Sequence, residues 1–210
     1  MESVSRNKRA PSDLHHLSVL IVEDNEINRV VVREMLQSDG HKVTEAFDGL
    51  QGVQQAGKRS FDLIFMDISM PVMDGRAATR EIRSGSGPNA TTPIIALTAN
   101  AMAAEQESFL QDGMNGILTK PLSRAALRDV LNGTPAKKAA ENPNLVDRAH
   151  SEETREAVGP EAFEMLLTRF AEEAESLVSW LMSGEAQGLP EIAARAHKVA
   201  GSAAVFGAIG

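Results

Sequence analysis

Three short apolar runs stand out along the first two thirds of the chain: residues 19–22, 63–66 and 94–97. Each is strand-length, apolar at every position, and followed by polar or turn residues, the pattern of strands buried on both faces of a parallel sheet. Residues 41–46 are half polar and 116–119 very short, so both predict strands at sheet edges. Between the runs the apolar period changes to that of a helix. Residues 25–36 carry Ile27, Val30, Val31, Met35 and Leu36 at helical spacing, and Gly40 can end that helix after Asp39. Residues 49–58, 75–83, 102–111 and 123–131 predict four further helices. Strand and helix alternate five times, which predicts a doubly wound α/β sheet.

A half-polar second strand belongs at an edge, so the flavodoxin-like strand order 2-1-3-4-5 is expected. The pattern stops after Leu131. Residues 133–144 are rich in Gly, Pro, Asn and Lys with no apolar period, and read as a linker. Beyond it no strand signal remains. From Gly159-Pro160 onward, Phe163, Leu166, Leu167, Phe170, Ala174, Leu177, Val178 and Leu181 recur every three or four residues. Gly184 and Gly188 interrupt this helix, and Pro190 suits the first turn of another running to about Phe206. The expected layout is a flexible lead-in (1–16), an α/β domain (17–132), a linker (133–144) and an all-helical region (145–210).

Composition narrows the function. A formal net charge of -8 argues against a nucleic-acid surface, which needs clustered Lys and Arg, and against adhesion to an anionic membrane. There is no cysteine, hence no disulfide, thiolate zinc site or cysteine nucleophile. No apolar run approaches the roughly 20 residues of a spanning helix. Residues 1–16 lack the apolar stretch of a signal peptide. A cytoplasmic protein is expected, with membrane tethering left open for a chain that is part of a larger sensor kinase.

The candidate chemistry lies where polar residues follow the strands. Glu23 and Asp24 follow the first strand, Asp67 ends the third, Thr98 ends the fourth and Lys120 follows the fifth. Singly, each has a structural reading: Asp24 could cap a helix and Thr98 could be a turn residue. Together they fall at the carboxyl ends of the strands, where open α/β sheets bind ligands. Two like charges about 4 Å apart repel by roughly 4 kcal/mol at an effective dielectric of about 20. Three carboxylates in one place therefore call for a cation, and oxygen-only ligands favour Mg²⁺. With the Lys120 charge and the Thr98 hydroxyl, the set suits phosphoryl transfer onto a carboxylate.

Residues 17–132 resemble a two-component receiver domain. The matching pieces are Val-Glu-Asp-Asn at 22–25, Met-Asp-Ile-Ser-Met-Pro-Val-Met-Asp-Gly at 66–75, Ala-Leu-Thr-Ala at 96–99 and Thr-Lys-Pro at 119–121. The resemblance implies Asp67 as phosphoacceptor and Glu23 and Asp24 as Mg²⁺ ligands, with Asp67 and the Ser69 backbone carbonyl completing the protein's share. It also implies that Thr98 and Lys120 hold the phosphoryl group, that Lys120-Pro121 is cis, and that small Ala99 leaves room. One position departs. The family often has an aromatic switch residue three before the lysine, where Ile117 stands, so a muted conformational response is expected.

Of the five histidines, His15, His16, His41 and His150 read as exposed bystanders. His197 differs, because Gly201 one turn along its face costs about 1 kcal/mol of helix propensity and clears space beside the imidazole. An unprotonated ring nitrogen is a competent phosphoryl acceptor. Residues 145–210 resemble a histidine phosphotransfer domain, with Gly159-Pro160-Glu161-Ala162-Phe163, Phe170, Ala196-His197 and Gly207-Ala208 as the matching positions. By that resemblance His197 is the acceptor. The family's lysine three residues after the histidine is Ala200 here, and Lys198 lies about 100° around the helix. The family also continues into another helix where this sequence stops, so a fragment of a longer protein, or a bundle that is incomplete or completed by another chain, is expected.

A receiver followed by a phosphotransfer region is the layout at the end of hybrid sensor histidine kinases. The resemblance implies that a kinase phosphohistidine donates to Asp67, which passes the group to His197 or to a separate carrier. The implied partners are a histidine kinase or kinase domain and a downstream phosphotransfer protein or response regulator. Three alternatives stand beside it: a stand-alone response regulator with a non-phosphorylated helical tail, a Mg²⁺-dependent phosphatase with Asp67 as nucleophile, and a scaffold that is never phosphorylated. The phosphatase would want an acid/base carboxylate where Ser69 stands, and the complete set of Glu23, Asp24, Asp67, Thr98 and Lys120 speaks against the scaffold.

Overall fold

The computed structural model describes residues 16–99, 103–133, 147–184 and 188–208. Five strands, β1 (Ser18–Val22), β2 (Lys42–Ala46), β3 (Leu63–Asp67), β4 (Ile94–Thr98) and β5 (Gly116–Thr119), form one parallel sheet in the order β2-β1-β3-β4-β5. The expected order is the observed one. The three wholly apolar strands are central and the two mixed ones are edges, because only a central strand has both faces covered by helices. Helices α1 (Glu26–Ser38), α2 (Gly49–Lys58), α3 (Gly75–Ser84), α4 (Ala103–Gln111) and α5 (Arg124–Leu131) connect or follow the strands. Met102, the expected start of α4, lies outside the described residues, as do residues 134–144 of the expected linker.

Alternation along the strands sorts the core into two layers. Val19, Ile21, Phe65 and Leu97 pack with Ile27, Val31 and Met35 of α1 and Leu127 of α5. Leu20, Val22, Ile64, Met66 and Ala96 pack on the other face with Ala56, Ala78, Ile82 and Phe109. Gly75 begins α3 close beneath β3, where a Cβ would run into the Asp67 carbonyl oxygen. The Asp74 carboxylate caps that helix, accepting from the Ala77 amide at 2.7 Å.

Three more helices follow: α6 (Arg148–Val158), α7 (Pro160–Ser183) and α8 (Leu189–Val205). Gly184, expected from the sequence to interrupt the helix, ends α7, and it does so in the left-handed conformation. These helices do not bury their apolar faces among themselves alone. Phe163, Leu166, Val205 and Phe206 join the core layer of α1 and α5, and the Phe163 and Phe206 rings meet edge to face at 5.4 Å. Met165, Val178, Leu181, Met182 and Leu189 remain exposed. Two of the expected bystander histidines are buried instead. His41 accepts from the Leu17 amide at 3.3 Å. His150 sits on the face of α6 turned toward the α/β domain, and burial pushes its pKa down.

Candidate functional site

The carboxyl ends of β1, β3 and β5 bring Glu23, Asp24, Asp67 and Lys120 together. One carboxylate oxygen from each of the three acids lies within 4.8 Å of the others. Glu23 and Asp67 are almost wholly buried, and Asp24 is half-buried. The Lys120 ammonium reaches both buried acids, at 2.7 Å from Glu23 Oε2 and 2.9 Å from Asp67 Oδ2. Burial opposes the lysine's charge, but the attraction of Glu23 and Asp67 outweighs it and raises its pKa. Glu23 goes the other way: desolvation lifts its pKa to about 7 despite Lys120, with Asp67 adding repulsion. Burial, then Asp67, raise that of Asp24 as well.

Local structure holds each group in place. Thr98 closes β4 in register with Thr119, and its carbonyl accepts from the Lys120 amide at 2.8 Å. The Lys120-Pro121 bond is cis. Ser69 lies in the turn after β3, its amide donating to Asp67 Oδ1 at 3.3 Å.

The start of α1 supplies three site residues that the sequence pattern did not single out. Arg29 Nη1 donates to the Glu23 carbonyl at 2.8 Å, Asn28 Nδ2 donates to Glu23 Oε1 at 3.1 Å, and Asn25 caps α1. Their signal was available: Asn25 directly follows Glu23-Asp24 at the start of the helix, and Asn28 and Arg29 are polar residues among the apolar positions of its first turns.

The donor set fits a hard divalent cation, because it is all oxygen. Three ionised carboxylates against one ammonium leave two negative charges, which a divalent ion would balance. His197 stands apart from this cluster, exposed on α8. Yet α8 lies against the first turn of α1, where a Cβ on Gly201 would meet Asn28 Nδ2 at 3.4 Å. Lys198 is near enough to Asp24 to act on it through charge.

The family model described as the response regulator receiver domain matches residues 19–132, more than half of the chain. The chain belongs to the response regulator receiver family. Its receiver domain is 43% identical over 115 residues to Sensor protein GacS of Pseudomonas syringae pv. syringae, covering 54% of this chain and 13% of that one. It is 42% identical over 119 residues to the two-component response regulator ORR41 of Oryza sativa subsp. japonica, covering 55% of this chain and 91% of that one. The chain thus spans a small share of the sensor kinase and nearly all of the free regulator. Among solved structures, the receiver domain of sensor histidine kinase PA1611 from Pseudomonas aeruginosa PAO1 is 45% identical. The TM-score is 0.53, with 57% of this chain and 97% of that one covered. That structure is described with a magnesium ion coordinated in its active-site cleft. The receiver domain accordingly belongs to two-component phosphorelay signalling. The helices carrying His197 stand outside the matched residues. Among the described residues no helix is long and apolar enough to cross a membrane.

Proposed function

We propose that this chain is a phosphorelay carrier in which Asp67 takes a phosphoryl group from a kinase phosphohistidine and hands it on to a histidine. The observation that carries this reading is Lys120 seated between Glu23 and Asp67 at the mouth of the sheet. A carboxylate oxygen of Asp67 attacks phosphorus, an oxygen–phosphorus bond forms, and the bond to the donor imidazole nitrogen breaks. The departing imidazole keeps the electron pair and takes up a proton. Glu23, Asp24, Asp67 and the Ser69 carbonyl would hold Mg²⁺, which supplies positive charge to the phosphoryl oxygens. Lys120 pairs with the charge that develops on those oxygens, and Thr98 offers its hydroxyl. Arg29 and Asn28 hold Glu23 through its carbonyl and its Oε1.

His197 is the proposed next acceptor within the same chain. Along the pair α1 and α8, Val205 lies beside Val31 and Val32, Gly201 beside Asn28, and Lys198 beside Asn25. The helices therefore run parallel, and the N-terminal turns of α8 extend past the start of α1 toward Asp24. His197 shares the helical face of Gly201 and lies about 6 Å farther in that direction. A histidine kinase or kinase domain is the proposed donor. A response regulator or separate phosphotransfer protein is the proposed recipient, and the cytoplasm the proposed setting.

The core shared by α1 and α6–α8 favours a second reading, in which the helices are a docked interaction module of a stand-alone regulator. Labelling with acetyl phosphate, with and without Mg²⁺, separates the two when followed by intact mass and acid or base lability. Label that needs Mg²⁺ and is lost in Asp67→Asn supports the receiver step. A base-stable, acid-labile fraction lost in His197→Ala supports the relay, and its absence from the wild type supports the docked module. No label at all would sink both.

A further inference from the structure

Asn25 uses every hydrogen-bonding capacity of its side chain. Its Oδ1 accepts from the Ile27 and Asn28 amides at 2.9 and 3.3 Å, closing the first turn of α1. That fixes the amide orientation and leaves Nδ2 facing α8. There it donates to the Lys198 carbonyl at 3.1 Å and to Ser202 Oγ at 2.7 Å. Ser202 is fully buried and donates in turn to Glu173 Oε2 on α7 at 2.9 Å. The Lys198 ammonium lies 3.6 Å from the other Glu173 oxygen. A polar chain thus crosses the apolar contact between the receiver and the helices, beginning at the residue after Asp24.

We propose that Asn25 is the positioning residue that sets the register of α8 on α1 and thereby brings His197 within reach of phosphorylated Asp67. This role rests on the relay reading above. Apolar contact is non-directional, so Val205, Phe206 and Leu166 would tolerate a helix slid by part of a turn. Two hydrogen bonds from one amide to a carbonyl and a hydroxyl four residues apart would not. Asn25 also has no freedom to follow a slide, because its own oxygen is tied to the start of α1. The amide therefore reports the place of the acidic cluster to α8. Gly201 allows the approach, since the nearest atom that a Cβ there would meet is Asn28 Nδ2.

Asn25→Ser and Ser202→Ala test this, alone and together. Serine remains a good cap for α1, so the first variant removes the two donations and spares the helix start. Transfer from Asp67 to His197 is measured per phospho-Asp67 formed with acetyl phosphate, at several protein concentrations. Hydrogen exchange over residues 189–205 is followed in the same proteins. The concentration-independent transfer should fall about tenfold in either variant, the loss expected of one or two neutral hydrogen bonds. The double variant should lose less than the two single losses combined, because both variants remove the Asn25–Ser202 bond. Exchange of α8 should quicken in parallel. Transfer and exchange equal to the wild type in all three variants would overturn the role of Asn25 and leave the relay standing. A wild type with no histidine label would overturn the relay and this role with it.

Discussion

The Lys120 ammonium lies 2.9 Å from the Asp67 carboxylate, and the lysine side chain is nearly as buried as the acid. A charge pair this far from water is retained only if each partner is held by the other, since removing one leaves an uncompensated buried charge. Lys120→Ala should therefore destabilise the metal-free protein by about 3–5 kcal/mol, and added Mg²⁺ should recover part of the loss. Urea midpoints with and without the ion would show it. A midpoint that does not move would mean that Lys120 contributes no net stability.

Glu23 gives the metal-free protein a pH dependence. Its folded pKa, raised from 4.5 to about 7 by burial, means that the folded state holds a proton the unfolded chain has released. The stabilisation is complete below about 4.5 and is lost as pH rises through about 7. One proton held across one pH unit is worth about 1.4 kcal/mol. Unfolding free energy should decline across that window, and Glu23→Gln should flatten the decline. A wild-type profile that is level from about pH 5 to about pH 8 would contradict the burial argument.

Gly75→Ala places a methyl group against the Asp67 carbonyl oxygen. The backbone under the acceptor must shift, at a cost of about 1–3 kcal/mol. Acetyl phosphate labelling should slow more than the stability loss alone explains. Normal labelling at unchanged thermal midpoint would show that α3 can retreat freely.

Phe206 is buried between Phe163 and Phe170, with ring centroids at 5.4 and 5.5 Å. Phe206→Ala should cost about 3–5 kcal/mol and free α6–α8 from α1. Limited proteolysis would then trim the chain after α5 faster than in the wild type and leave the receiver intact. Equal trimming in the two proteins would mean that the helices are held chiefly by the polar contacts at Asn25.

The strength of the sequence signal tracks how local the physics is. Residues 19–22, 63–66 and 94–97 could only be buried strands, and their order followed from which strands were polar. Glu23, Asp24, Asp67, Thr98 and Lys120 were legible because each follows a strand. Asn25, Asn28 and Arg29 were not singled out, since a polar residue on a helix looks solvated until the surface that covers it is known. His150 and His41 read as exposed for the same reason.

By itself, then, the sequence determined the elements, the sheet order and the acidic cluster, because period, burial on both faces and strand ends are properties of neighbouring residues. Only the tertiary structure decided where α6–α8 go. Their apolar faces specify burial but no partner, so the same pattern would serve a free-standing bundle or a layer shared with α1. The choice is made by shape and by a few directional bonds between residues far apart in the chain, such as Asn25 and Ser202, which no local period records.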